Sequence, residues 1–190
     1  MLAQIGQLLV DVVASFLVYL LLARFLWQWL RVPFRNPLGE FLVATTNWAV
    51  RPLRRVIAPL AGLDLASLVA AWLAQMLALW ALSALRGGEF GAAPGAAAAI
   101  LAATAFVDLI RYSLYILIFA VIANVVLSWV NPYSPVAPVF DAMTRPFLRP
   151  IRRLVPPIAN VDLSPLVLLM VLQVLMIPLA HLRSLAGGVF

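Results

Sequence analysis

The chain has no cysteine, which excludes a disulfide framework, a thiolate metal site and a cysteine nucleophile together. Lysine is missing as well, so all thirteen basic side chains are arginine. Charged residues of both signs make up only 11% of the 190, against about a quarter in ordinary soluble domains. The single histidine, His181, leaves no second imidazole to hold a haem between helices. No Gly-rich phosphate loop, metal-ligand cluster, paired catalytic carboxylates or Ser-His-Asp constellation is present. Neither an enzyme nor a resident cofactor or metal is expected from such a chain.

What fills the space is apolar: 65% hydrophobic residues and a mean hydropathy of +1.07, which belong in a bilayer. The apolar stretches run Val12 to Leu30, Leu65 to Leu85, Tyr112 to Val130 and Leu163 to Ala180. Each is long enough for a helix of about 20 residues to cross a hydrocarbon core about 30 Å thick. None alternates as a barrel strand must, and lipid demands that backbone polar groups be satisfied internally, so all four are expected to be transmembrane helices. With flanks they are placed at about 5–30, 63–85, 105–130 and 162–183. The first, without a basic leader or a small-residue cleavage site before Arg24, reads as a retained helix rather than a signal peptide.

Arginine sets the orientation. Segment 31–62 carries Arg31, Arg35, Arg51, Arg54 and Arg55, and segment 131–161 carries Arg145, Arg149, Arg152 and Arg153, nine of the thirteen. The other side holds only Arg86, Arg111 and Arg183. Short loops rich in basic residues stay cytoplasmic, which puts both termini outside, together with the Gly/Ala-rich stretch 86–104, read as a linker. The net charge of +6 then suits anionic headgroups better than direct contact with nucleic acid.

A shift of 98 residues lays Arg51-Pro52-Leu53-Arg54-Arg55 on Arg149-Pro150-Ile151-Arg152-Arg153, Pro59 on Pro157, Asp64-Leu65 on Asp162-Leu163 and Gln75 on Gln173. In the preceding helix a shift of 100 pairs Arg24 with Asn124, Trp29 with Trp129 and Asp11 with Arg111. The fold class that follows is an all-α membrane protein. Its four transmembrane helices form two tandem parallel repeats, each helix–interfacial amphipathic hairpin–helix, related by a pseudo-two-fold axis along the membrane normal. The repeats span 1–85 and 105–190, with the linker between.

Within each hairpin a proline at N1 is expected to start a short helix, with Leu53, Val56, Ile57 and Leu60 dipping into lipid and Arg51, Arg54 and Arg55 reaching headgroups. Upstream, Phe41, Leu42, Thr45 and Trp48 form a second apolar stripe, echoed by Val139, Phe140 and Met143. Arg51, Arg54, Arg55, Arg149, Arg152 and Arg153 are the candidate headgroup or partner site, since a guanidinium matches phosphate bidentately; topology alone would also place arginines there. Asp64 and Asp162 are positioned either to cap the helices that follow or to pair with arginines. Gln75 and Gln173 are expected to face the bundle at equal depth, Arg24 to snorkel and Asp11 to pair with Arg111 across the two-fold.

The run NPYSPVAPVFDAMTRPFLRPIRRLVPPIANVDLSPLVLLMVLQVL at 131–175 resembles the core of the YggT family of small bacterial membrane proteins. Residues 112–178 match that pattern well; 12–80 is a looser copy, with Ala58 where the pattern has proline. The resemblance implies a bacterial inner membrane protein linked to osmotic and ionic stress tolerance. Its plastid relatives are linked to cytochrome b6 haem maturation and nucleoid organisation. It supplies no catalytic residues. The leading expectation is a non-enzymatic scaffold or assembly factor whose RPxRR segments bind lipid headgroups, a membrane-protein partner or a second copy. The alternative is a small transporter or ion-flux component with a path at the repeat interface past Gln75, Gln173 and Asn124.

The orientation has a direct check in a chain without native cysteine. A thiol introduced by A92C should label from outside intact cells and one introduced by R35C should not; the reverse pattern would invert the topology.

Overall fold

The computed structural model describes residues 2–57, 62–87, 94–155 and 162–187. Leu60, the prolines of the repeat pattern at 59, 156 and 157, and the central part of the linker lie outside the described residues. Six helices follow in order: α1 Leu2–Trp29, α2 Pro37–Val56, α3 Leu65–Leu85, α4 Pro94–Val130, α5 Ala137–Leu154 and α6 Ser164–Gly187. Of these α1, α3, α4 and α6 are long and apolar enough to cross a membrane.

Each unit is a pair of such helices tied at one end, hereafter the arginine end, by a shorter one. α1 packs along α3 with α2 bridging them, and α4 packs along α6 with α5 bridging them. Ala66, Ala70, Ala71 and Ala78 of α3 are buried, because small side chains let helices approach closely where lipid supplies no hydrophobic drive. Val18, Leu21, Leu22 and Val50 join Ala66, Ala70 and Ala71 in the first core, while Val121, Leu148, Leu168 and Leu172 form its counterpart in the second unit. A third cluster, with Trp27, Leu42, Ala120, Phe140 and Met143, joins the units at the arginine end.

The two-fold correspondence holds within the units and lapses between them. α3 packs on α4, whereas α1 and α6 are separated by an apolar cleft of about 250 Å³ lined by Leu26, Leu30, Leu168, Leu172 and Leu175 among others.

Three expectations need correction. Residues 94–104, expected in the linker, form the first turns of α4, whose 37 residues span about 55 Å at 1.5 Å per residue. The run Ala96 to Ala99 has the highest helix propensity available, and Pro94 suits the start. Second, the segments at the arginine end are not hairpins of two pieces: α2 runs unbroken through Pro52, and α5 through Pro146 and Pro150. An internal proline costs a helix about 3 kcal/mol. The continuous buried face of Leu42, Thr46 and Val50, matched by Phe140, Thr144 and Leu148, offsets it by burial. Third, that face differs from the stripe read from sequence, since Phe41 and Trp48 are exposed and Thr46, not Thr45, is buried.

α2 is set firmly at its start. Asn36 accepts the Gly39 amide at 2.9 Å, Pro37 occupies the first turn, and a Cβ at Gly39 would overlap the Phe34 carbonyl. Ahead of it, α1 ends in a Schellman turn in which Arg31 takes φ 56°, Val32 N–H donates to Trp27 O at 2.8 Å and Arg31 N–H to Gln28 O at 3.2 Å. Val32 and Trp27 are both buried in the shared cluster, the apolar contact that accompanies this turn. A side chain other than glycine in this conformation costs about 1 kcal/mol. Arg31→Gly should therefore raise the thermal midpoint of detergent-purified protein by a few degrees, and a fall would show that the Arg31 side chain itself makes a stabilising contact.

Candidate functional site

At the arginine end each unit closes through an arginine of the short helix and an aspartate ahead of the next long one. Arg54 Nε donates to Asp64 Oδ1 at 3.2 Å and its Nη2 to Oδ2, a two-pronged pair. Arg152 Nε donates to Asp162 Oδ2 at 2.9 Å. Both pairs stand ten residues apart in sequence and coincide under the shift of 98, so the clasp is a property of the repeat.

The aspartates differ in what else they do. Asp64, 3% exposed, makes no cap to a backbone N–H of α3; it accepts the Ser67 hydroxyl instead, and Arg24 Nε lies 3.8 Å away. Capping, one of the two roles open to it from sequence, gives way to ion pairing. Asp162 is 38% exposed and does both, accepting the Ser164 amide at 2.9 Å at the start of α6. Burial pushes each carboxyl upward. For Asp64 the hydrogen bonds from Arg54 and Ser67 and the charges of Arg54 and Arg24 outweigh it. For Asp162 the bonds from Ser164 and Arg152 do the same. Both sit below the ordinary carboxylate range.

Arg24 does not snorkel. It is 4% exposed, donates from Nη1 to Thr46 Oγ1 at 2.7 Å and to Asn47 Oδ1 at 3.0 Å, and so joins α1 to α2. Asn124 repeats the arrangement without charge, donating from Nδ2 to Thr144 Oγ1 at 3.0 Å. Both threonine hydroxyls donate in turn to carbonyls one turn back, those of Leu42 and Phe140. Thr46 and Thr144 went unremarked in the sequence although the shift of 98 superposes them.

The clasp consumes the middle arginine of each RPxRR segment. Arg51, Arg55, Arg149 and Arg153 are exposed and form no salt bridge among the described residues. At the same end of the molecule Trp48, Val56, Trp129, Tyr133 and Leu154 are also exposed, Val56 and Leu154 by 85% and 82%.

The glutamines part company. Gln75 is buried and donates to Asp108 Oδ2 at 2.9 Å, tying α3 to α4. Gln173 is exposed on α6 and makes no hydrogen bond among the described residues, which corrects the expectation that both face the bundle. Packing decides the difference: α3 has a helix of the next unit on that side, and α6 has none there among the described residues. Asp108, 1% exposed, also accepts Arg183 Nε at 2.6 Å, and Arg111 lies 3.4 Å away. Arg111 thus pairs with Asp108 rather than with Asp11, which is exposed and forms no salt bridge among the described residues. Asp11 instead lines a polar cleft of about 540 Å³ with Gln75, Arg86, Tyr112 and Arg183. Asp108 was missed as one acid in an apolar run; its i, i+3 spacing to Arg111 was the available signal.

Comparisons with known proteins agree on the two-unit plan. The family model described as CCB3/YggT matches residues 3–85 and 103–183. An uncharacterised protein of Pseudomonas aeruginosa is 33% identical over 182 residues, covering 94% of this chain and 90% of its own. The uncharacterised YggT protein of Escherichia coli K12 is 28% identical over 181 residues, covering 95% and 92%. A Vibrio alginolyticus relative, also uncharacterised, is 30% identical over 166 residues. No solved structure matches.

Removing Asp64 strands the buried Arg24 charge, whereas Asp162 pairs in the open. D64A should cost about 3 kcal/mol and D162A under about 1 kcal/mol, read as thermal midpoints in detergent. Because both folded carboxyls are depressed, their contribution is complete above the unfolded value of about 3.9 and fades as pH falls through the folded one. The D64A deficit should accordingly be flat from pH 5 to 8 and shrink only below about pH 4. A deficit that varied between pH 5 and 8 would mean that another group titrates in the clasp.

Proposed function

The chain belongs to the CCB3/YggT family, and from that premise we propose that it is a non-enzymatic scaffold of the bacterial inner membrane whose α2 and α5 helices hold anionic lipid headgroups at the cytoplasmic face. The observation that carries this is the division of labour inside RPxRR. One arginine is tied to its aspartate, which aims the helix end, and the arginines on either side, Arg51 with Arg55 and Arg149 with Arg153, are left exposed. A topology signal needs positive charge alone. A fixed middle arginine with two free guanidiniums repeated in both units is what bidentate phosphate binding uses.

The surroundings favour a lipid over a soluble partner. Trp48, Trp129 and Tyr133 are exposed and suit the headgroup layer, where amphipathic rings collect. Val56 and Leu154 stand beside the arginines, as apolar residues do on helices lying in an interface. A scaffold of this design gathers anionic lipid under two helices and presents them to whatever assembles there. Osmotic and ionic stress tolerance is the physiological role consistent with it, since headgroup contacts are screened by salt. The transport path loses one of its proposed walls with Gln173 outside the bundle.

Retention of phosphatidylglycerol by detergent-purified protein, followed by native mass spectrometry, separates charge from geometry. At about 1 kcal/mol per basic residue near an anionic surface, R149A/R153A should lower retention by about tenfold or more. R149K/R153K should keep insertion and topology yet retain less lipid than the parent and fail to complement growth under hyperosmotic stress. If the lysine variant holds lipid and complements as the parent does, the arginines only set topology.

A further inference from the structure

Gln173 is the one repeat-matched polar residue that unit two leaves without use. It lies near the midpoint of the span Ser164–Leu185, exposed and without a hydrogen bond among the described residues. A primary amide facing hydrocarbon forfeits its donors and its acceptor alike. Its counterpart Gln75 shows what the register does when a neighbour is present: the amide is buried and holds α4, the next helix along.

α6 is exposed on several sides, Val171, Val174, Leu175, Leu182 and Leu185 included; the exposed residues in line with Gln173 fall at spacings of four, three, four, three and four: Leu166, Met170, Gln173, Ile177, Ala180 and Ser184. A seam of this period matches a parallel neighbour over several turns with a left-handed crossing. The seam narrows at Ala180 and Ser184, where small side chains let backbones approach.

We propose that α6 is a homodimerisation helix, with the seam of one copy packed on the seam of a second copy and Gln173 paired to its symmetry mate across a two-fold axis along the membrane normal. Two copies inserted with the same topology present α6 in parallel, so each seam residue meets its own copy at its own depth. An amide carries both donor and acceptor and is complementary to itself in that arrangement. Gln173 then sets the register, the role a single polar residue plays in an apolar seam. A head-to-tail contact of α6 with α1 of another copy is the alternative continuation of the α3–α4 packing. It fails on chemistry, since the position equivalent to Asp108 under the shift of 100 is Leu8.

The absence of native cysteine makes disulfide trapping in native membranes a clean test on the full chain. I177C and M170C should each give a covalent dimer on mild oxidation, and V171C and L175C, exposed but off the seam, should give little. On the I177C background Q173L should weaken association by about threefold to thirtyfold, the range measured for interhelical polar contacts in membranes, and Q173N should keep it. Because Gln173 is exposed and makes no hydrogen bond among the described residues, Q173L should leave the monomer's thermal midpoint unchanged. Equal trapping at all four positions, indifference to Q173L, or trapping of I177C with L8C instead of with itself would each overturn the proposal.

Discussion

A charged group at the edge of the hydrocarbon is held most firmly by a partner within the protein, because lipid offers none. The two arginine–aspartate clasps supply such partners, and much of the architecture follows from where they are. Each fixes the end of a bridging helix against the start of the long helix that follows it. A connection of unspecified path thereby becomes a defined corner. With the corner fixed, the buried faces of α2 and α5 come to rest on α1 and α4, and the arginines beside the clasp point away from it. The exposed arginines owe their placement to the one that is tied.

The units spend this device differently. In the first, Arg24, Thr46, Asn47, Arg54, Asp64 and Ser67 form one network closed from water on most sides. In the second, Asn124 and Thr144 replace the buried charge with a neutral pair, and Asp162 stands half in the open, capping as well as pairing. A buried charge network is costly to break and gives weak evidence of net stability. Its effect is to specify one arrangement of α1, α2 and α3. The second unit leaves its clasp nearer the surface, where the Asp162–Arg152 pair is worth less.

Much of this is legible in the amino-acid sequence, for identifiable reasons. The four spans are long uninterrupted apolar runs, and the shift of 98 made the aspartate–arginine equivalence visible because charged residues are rare enough here to stand out. Thr46 and Thr144 obey the same shift but look neutral in an apolar stripe, and only burial beside Arg24 and Asn124 gives them a role. Rotation about a helix axis was not legible at all. α3 and α6 have nearly featureless apolar surroundings for their glutamines, so which face turns inward depends on which helix is next to it. The prolines misled for a related reason: a proline marks the cheapest place to begin a helix, and tertiary burial of Leu42, Thr46 and Val50 carried α2 past it.

Two packed copies of one two-helix unit leave an inequality between their matched faces. The face of α3 beyond its own unit is covered by α4, with Gln75 and Asp108 sealing the contact. The same face of α6 meets no helix among the described residues, and the cleft toward α1 opens on another side of α6, that of Val171 and Leu175. The polar residue in the middle of α6 is therefore left without the contact that its counterpart Gln75 makes. In the proposed homodimer its partner, by the geometry of parallel insertion, lies at the same depth in another molecule.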